Sequence, residues 1–461
     1  MQKKTIFAVS IFTIAVILVA SIAVYCYILA NHTSLLKIDD EKEESKNVYG
    51  IVIDAGSTGT RLHAFEFERN GTELNLLYEY FKQEKPGLSS LTPQEAKEQI
   101  KKLLRDVEEF IPEEFRKSTL LKLKATAGFR LMNPERSEEV LEVVRDVFKS
   151  SQYSSVKNAV EIIDGNEEAI TSWFSINYLR NLLTSDDKAT ALDLGGGSTQ
   201  VAFEIVDEIP DHLTEHIHKV LNFDSESELF VKSYLGLGLM ALRHAVITEE
   251  ASENQENVDT YCINAEAHPF EWTYQNIVYK ITPKFTDNST FDDCLIAIRK
   301  IVSKLLTPKI PSLQDQIING FSYFYDRSVD ARLIKKNDEG DEIEVEKFRL
   351  KALEYCENKP NKDPWLCLDL TFISVLLQDG YGLKDDKKIK VSKCFMFFSS
   401  SPFRKVKTTH LYCILLPVMQ LMTFSSIYVD LNQCCTNCVP HKFFENVTYR
   451  ILCEILIMAS S

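Results

Sequence analysis

No cysteine falls between Val48 and Tyr261, no charged residue between Thr5 and Ala30, and no tryptophan after Trp365. Two familiar phosphate signatures are missing as well. Without a Gly-x4-Gly-Lys-Ser/Thr run there is no P-loop, and no Gly-x-Gly-x-x-Gly turn opens a helix, so dinucleotide binding has no support. A basic excess is also lacking. Lys and Arg number 52 against 67 Asp and Glu, a formal net charge of -15, which disfavours nucleic acid as a partner. An acidic protein can still take an anionic ligand where backbone N–H groups and a divalent cation neutralise it locally. What remains is an ordinary globular composition, 45% hydrophobic and 26% charged, and 461 residues are enough for two sizeable cores.

The uncharged stretch at 5–30 sets the expected compartment. Its 26 residues exceed the roughly 20 that span a bilayer and the about 7–15 of a signal-peptide core. Lys3 and Lys4 precede it and the acidic segment Asp39–Glu44 follows, so the positive-inside tendency puts 1–4 in the cytosol. We expect a type II signal anchor at 5–30, a stalk at 31–47 and a luminal or extracellular body, in the Golgi, the endoplasmic reticulum or at the cell surface. A long cleaved signal would give the same compartment with a soluble product. Sequons at Asn31, Asn70, Asn288 and Asn446 agree with a secretory route. So does the set Cys262, Cys294, Cys356 and Cys367, for which nearest-neighbour pairing is the natural expectation among three possible pairings. Free buried thiols are the alternative.

Along the body, Tyr49-Gly-Ile-Val-Ile-Asp54 reads as a buried strand entering the glycine turn Asp54-Ala-Gly-Ser-Thr-Gly-Thr-Arg61, and Leu62–Phe67 as its returning strand. Pro93–Phe110, Ser137–Lys149 and Glu167–Leu183 have helical spacing, and Leu120–Ala125 and Val160–Ile163 read as strands. The pattern then restarts, with Ala189–Asp193 entering Asp193-Leu-Gly-Gly-Gly-Ser-Thr-Gln200 and Val201–Glu204 returning. A strand–turn–strand unit used twice implies two similar α/β halves around a cleft. Gly56 and Gly59, and Gly195, Gly196 and Gly197, let successive N–H groups form an anion nest, to which Ser57 and Thr58 add hydroxyls. Asp54, at its strand end, is placed to hold a metal-bound water. One such turn alone would be an ordinary hairpin.

Four segments in order resemble the conserved regions of the nucleoside triphosphate diphosphohydrolases, the ecto-apyrases. They are Asp54–Thr58, Ala125-Thr-Ala-Gly-Phe-Arg130, Gly165-Asn-Glu-Glu-Ala169 with Trp173 and Asn177, and Asp193–Gln200. The likeness runs from about Val48 to Lys393, with lesser echoes such as Ser233–Gly238, and is greatest to the short, single-anchor branch that prefers nucleoside diphosphates. It implies the actin/hexokinase/Hsp70 type of fold, two ribonuclease-H-like lobes around a nucleotide cleft: lobe I at 48–166, lobe II at 167–380 and a return towards lobe I at 381–393. It implies Glu168 as the base that activates water and Ser198 as the group that orients it. Asp54 and Asp193 would hold a hydrated Ca²⁺ or Mg²⁺ with Gln200 in the same shell, and Ser57, Thr58 and Thr126 would contact phosphate. Arg130 binds phosphate or forms an internal ion pair. Tyr325 stacks on the base or is a core aromatic.

The resemblance stops at Lys393. The family's closing Trp-x-Leu-Gly segment is absent, and Cys394–Ser461 carries six cysteines and no α/β pattern. Divalent-cation-dependent hydrolysis of nucleoside diphosphates such as UDP and GDP is the leading expectation. An exopolyphosphatase or sugar kinase of the same fold is a second, and an impaired, membrane-anchored nucleotide-binding protein a third. The sequence fixes no oligomeric state.

Overall fold

The computed structural model describes residues 46–393, apart from 71–72, 181, 184, 207–208, 223–224, 251–255, 285–288, 338–339 and 359–361, together with 403–405. The expected cytosolic residues and anchor, stalk residues 31–45, the sequons at Asn31, Asn288 and Asn446, and the remainder of the tail lie outside the described residues. Among the described residues no helix is long and apolar enough to cross a membrane. The chain divides into two units, 1–47 with 68–74, and 48–67 with 75–461. Only strand ends of the first are described, and the second carries both lobes.

The strands in chain order are β1 (Lys46–Ala55), β2 (Thr60–Asn70), β3 (Glu73–Glu84), β4 (Leu120–Ala125), β5 (Val160–Ile162), β6 (Ala189–Leu194), β7 (Ser198–Glu204), β8 (Ile217–Asn222), β9 (Ser225–Leu235), β10 (Asn257–Thr260), β11 (Phe270–Tyr274), β12 (Ile277–Pro283), β13 (Ile317–Ser322), β14 (Asp341–Glu344), β15 (Lys388–Val391) and β16 (Phe403–Lys405). They form a six-stranded sheet ordered β16-β3-β2-β1-β4-β5, a seven-stranded sheet ordered β14-β15-β13-β6-β7-β9-β8 and a small sheet ordered β10-β12-β11. The repeat seen in the sequence is a repeat of topology. β1 and β6 each leave through a glycine turn into a neighbouring strand, and each has a parallel partner on its other side, β4 with Ile53 opposite Leu123 and β13 with Phe321 opposite Asp193.

Local signals explain the helices that cover the first sheet. Thr92 and Glu95 form a capping box ahead of Pro93–Asp106, with Pro93 in the first turn. Asn133 caps Pro134–Lys149 by accepting the Glu135 and Arg136 N–H groups, with Pro134 in the first turn. Their apolar faces, with Ile100 and Leu103 on one and Val140 and Val144 on the other, are buried with Ile51, Ile53, Leu121 and Leu123 in a single core. In lobe II, Asn177 joins helix Gly165–Leu179 to β6. Its amide donates to the Trp173 and Ala189 carbonyls at 3.0 and 2.9 Å and accepts from the Ala189 N–H at 2.7 Å. Cys262 is bonded to Cys294 and Cys356 to Cys367, the nearest-neighbour pairing.

One expected boundary is corrected. The segment 381–393 does not return to the first sheet. Its strand β15 pairs in parallel with β13 and antiparallel with β14, because Ile389 and Val391 are buried in the lobe II core. The tail, in which no α/β pattern was expected, supplies β16, which pairs antiparallel with β3 through Phe403 opposite Tyr80.

Candidate active site

Both glycine turns and the first turn of helix Gly165–Leu179 converge. Gly196 approaches so closely that a Cβ there would collide with the Ser57 hydroxyl, and a Cβ on Gly128 would lie 2.9 Å from Ser57 Cα. Ser57 is thus enclosed by the second turn and by helix Ala127–Arg130, whose N-cap is Thr126. The Gly195 and Gly196 carbonyls accept N–H groups of Leu239, Met240 and Ala241 at 2.9 Å, and the Gly197 carbonyl accepts from Gly236 at 2.9 Å. Three oxygens that would repel an anion are therefore engaged elsewhere, which suits the turn to phosphate.

Glu168 stands in the first turn of its helix, which Asp164 caps by accepting the Asn166 N–H at 2.8 Å. Its Oε2 accepts from Arg130 Nη2 at 2.8 Å and from Gln200 Nε2 at 3.1 Å. Arg130 Nη2 also donates to Ser198 Oγ at 3.3 Å, and Gln200 Nε2 to the same oxygen at 2.6 Å. Glu168, Ser198, Gln200 and Arg130 therefore form one connected cluster. Burial pushes the Glu168 carboxyl up to about 7; Arg130 pulls the other way, while Asp193 and Asp54 add to the rise. A carboxylate held there can take a proton from water near neutral pH.

Asp193, at the end of β6, accepts from Ser322 Oγ at 2.7 Å. Burial raises its carboxyl above the ordinary range and the charge of Asp54 adds to the effect, against the Ser322 and Ser172 hydroxyls and Arg61. Asp54, at the end of β1, accepts from Arg61 Nη1 at 2.9 Å. These two carboxylates are hard oxygen ligands whose mutual repulsion a divalent cation would offset, so the residues present fit such an ion. Among the described residues no three of His, Cys, Asp and Glu converge to hold a metal. Two carboxylates suit a Mg²⁺-type site, in which water and phosphate complete the shell.

Of the residues singled out in the sequence, Tyr325 is not brought to this cluster. It is 3% exposed in the lobe II core, with its hydroxyl donating to the Asn337 carbonyl at 2.5 Å. Its neighbour Tyr323 is half-buried and faces the first turn. Burial raises its hydroxyl, and a hydrogen bond to the Thr58 side chain opposes that rise. Arg130 makes the ion pair, with Glu168 as its partner.

Three contributors lie in the lesser echoes of the family but were given no role from the sequence. Ser322 sits at φ 56°, a strained conformation for a serine, and so aims its hydroxyl at Asp193. Ser233 accepts from Gln200 Nε2 at 3.1 Å. Tyr323 lies within an aromatic run that does not distinguish its members.

Comparison with known proteins gives the family and the fold. Residues 40–395 match the GDA1/CD39 (nucleoside phosphatase) family. The chain is 34% identical over 366 residues to ectonucleoside triphosphate diphosphohydrolase 5 of Gallus gallus, covering 76% of this chain and 84% of that protein. It is 33% identical over 368 residues to nucleoside diphosphate phosphatase ENTPD5 of Homo sapiens, with the same coverage. Ectonucleoside triphosphate diphosphohydrolase 6 of Mus musculus is 32% identical over 358 residues, 75% of this chain and 78% of that protein. Among solved structures, a nucleoside triphosphate hydrolase of Neospora caninum has the same fold, with a TM-score of 0.53 at 14% identity, covering 86% of this chain and 97% of that one. Two topologically repeated lobes, paired phosphate turns and these relatives together make the chain a member of the GDA1/CD39 nucleoside phosphatase family, in its ENTPD5/ENTPD6 branch, and a hydrolase of the apyrase kind.

Proposed function

We propose that the protein hydrolyses nucleoside diphosphates, UDP and GDP foremost and triphosphates secondarily, to monophosphate and phosphate with a divalent cation. The observation that carries this reading is Glu168, a carboxylate pushed up to about 7 and joined through Gln200 to the hydroxyl of Ser198. Ser57, Thr58, Thr126 and the amides of Gly196 and Gly197 bind the phosphates, the Gly195 N–H being held by the Ser198 carbonyl at 3.0 Å. Ser198 positions a water, and Glu168 takes its proton as the oxygen attacks the terminal phosphorus. Asp54 and Asp193, with Gln200, would hold Ca²⁺ or Mg²⁺, whose charge offsets that developing on the phosphate oxygens when bound. The uncharged run at 5–30 supports anchorage with the body in the secretory lumen or outside the cell.

The test is phosphate release by the full chain from UDP, GDP, ADP and ATP with Ca²⁺ or Mg²⁺ and with chelator. We expect release from the diphosphates that chelator abolishes. Release from none of the four, with nucleotide still bound, would reject the reading. Protease protection in sealed microsomes checks the orientation.

A further inference from the structure

Arg61 has no role in the scheme above. It lies near the start of β2, directly behind the first phosphate turn, and its Nη1 donates to Asp54 Oδ2 at 2.9 Å. Its side chain is 19% exposed and that of Asp54 35%. Gly56 leaves room for it, since a Cβ there would stand 2.6 Å from Nη1. The Arg61 Nε is buried without a partner. One edge of the guanidinium is therefore spent on the carboxylate while another donor waits for an acceptor.

We infer that Arg61 is a resident counter-charge that occupies Asp54 until nucleotide arrives and then exchanges that carboxylate for a phosphate oxygen. The inference rests on the proposed function for the assignment of Asp54 to the cation. A carboxylate oxygen engaged by a guanidinium is a poor ligand, because the charge-assisted bond must break before the oxygen can coordinate. A phosphate offers that guanidinium two oxygens in fork geometry and gives the unpartnered Nε an acceptor. The exchange trades one hydrogen-bond acceptor for another, and no covalent bond forms or breaks. The consequence is ordered loading. The nucleotide-free site resists a bare divalent cation, and arrival of phosphate removes the obstacle.

Binding of Mn²⁺ to the nucleotide-free full chain, followed by electron paramagnetic resonance, tests this without turnover. Arg61→Gln should bind Mn²⁺ about tenfold more tightly than wild type, the scale of one charge-assisted bond no longer broken. Arg61→Lys, which keeps the charge, should stay near wild type. Inorganic phosphate should tighten Mn²⁺ binding more in wild type than in Arg61→Gln. Unchanged or weaker Mn²⁺ binding by Arg61→Gln, or a tenfold gain by Arg61→Lys, overturns the inference. Asp54→Asn approaches the pair from the other side. By releasing the guanidinium it should tighten metal-free binding of inorganic phosphate, and the double variant Asp54→Asn/Arg61→Gln should lose that gain; its persistence in the double variant also overturns the inference. Absence of phosphate release from every nucleotide would remove the hydrolase reading and leave these binding comparisons standing.

Discussion

At Asp369 two guanidiniums share one carboxylate. Arg243 Nε donates to Oδ1 at 2.8 Å and Arg327 Nη1 to Oδ2 at 3.2 Å, so three helices, Leu239–Glu250, Tyr323–Asp330 and Leu366–Val375, are joined at one point. Arg327 is balanced further by Asp363 and Asp330, and the Arg243 guanidinium lies 4.7 Å from the Trp365 ring. At Glu168 the proportions are reversed. One guanidinium, Arg130, is divided among Glu168, Ser198 and the Ile163 carbonyl, while Asp193 and Asp54 add negative charge nearby. The same two functional groups therefore serve opposite ends. Two guanidiniums in direct contact pin a carboxylate in place, whereas one shared guanidinium with uncompensated carboxylates nearby leaves it basic.

Exchanging the two carboxylates for amides gives the widest separation. Under the proposed assignment Glu168→Gln should lower phosphate release by roughly 10²–10⁴-fold, the usual contribution of a positioned base, while folding normally by circular dichroism. Asp369→Asn should act on stability instead. Weakening a buried charge cluster costs up to about 3–5 kcal/mol, read by urea unfolding. A stable Asp369→Asn together with an unfolded Glu168→Gln would break the comparison.

The next effect is a pH dependence. Because Glu168 must be ionised to accept a proton, turnover should fall as pH drops through about 7. Arg130 lowers the Glu168 value, so Arg130→Gln should move this acid limb to higher pH in a pH–rate profile. Stability should run the opposite way. A carboxyl raised in the folded state favours folding below its ordinary value and loses that contribution as pH rises through about 7. Glu168→Gln should therefore melt above wild type in alkaline buffer, with the difference shrinking on acidification.

The smallest expected effect concerns Tyr325. Tyr325→Phe removes two hydrogen bonds with the Asn337 backbone and should cost about 2 kcal/mol of stability, without changing the preference between UDP and ADP. A changed base preference would return Tyr325 to the nucleotide and contradict its place in the core.

Much of the first lobe was legible because its signals are short-range. The helices Pro93–Asp106 and Pro134–Lys149 fall on the expected Pro93–Phe110 and Ser137–Lys149, the second starting three residues earlier at the Asn133 cap, and β4 coincides with the expected Leu120–Ala125. The aromatic run was not legible. Tyr323, Phe324 and Tyr325 are chemically alike, and only the phase of their helix decides that Phe324 and Tyr325 are buried while Tyr323 meets Thr58. At 381–393 the sheet that the strand Lys388–Val391 joins was not legible, since apolar alternation carries no address.

By itself the sequence determined the two glycine turns and the family, because each rests on residues close together in the chain or on motifs in a set order. Tertiary structure alone decided that Arg130 pairs with Glu168, that Ser322 holds Asp193 from 129 positions away, and that Arg61 occupies Asp54. The physical reason is that a carboxylate's basicity depends on the balance of charge and solvent around it, and that balance is set by groups from distant parts of the chain.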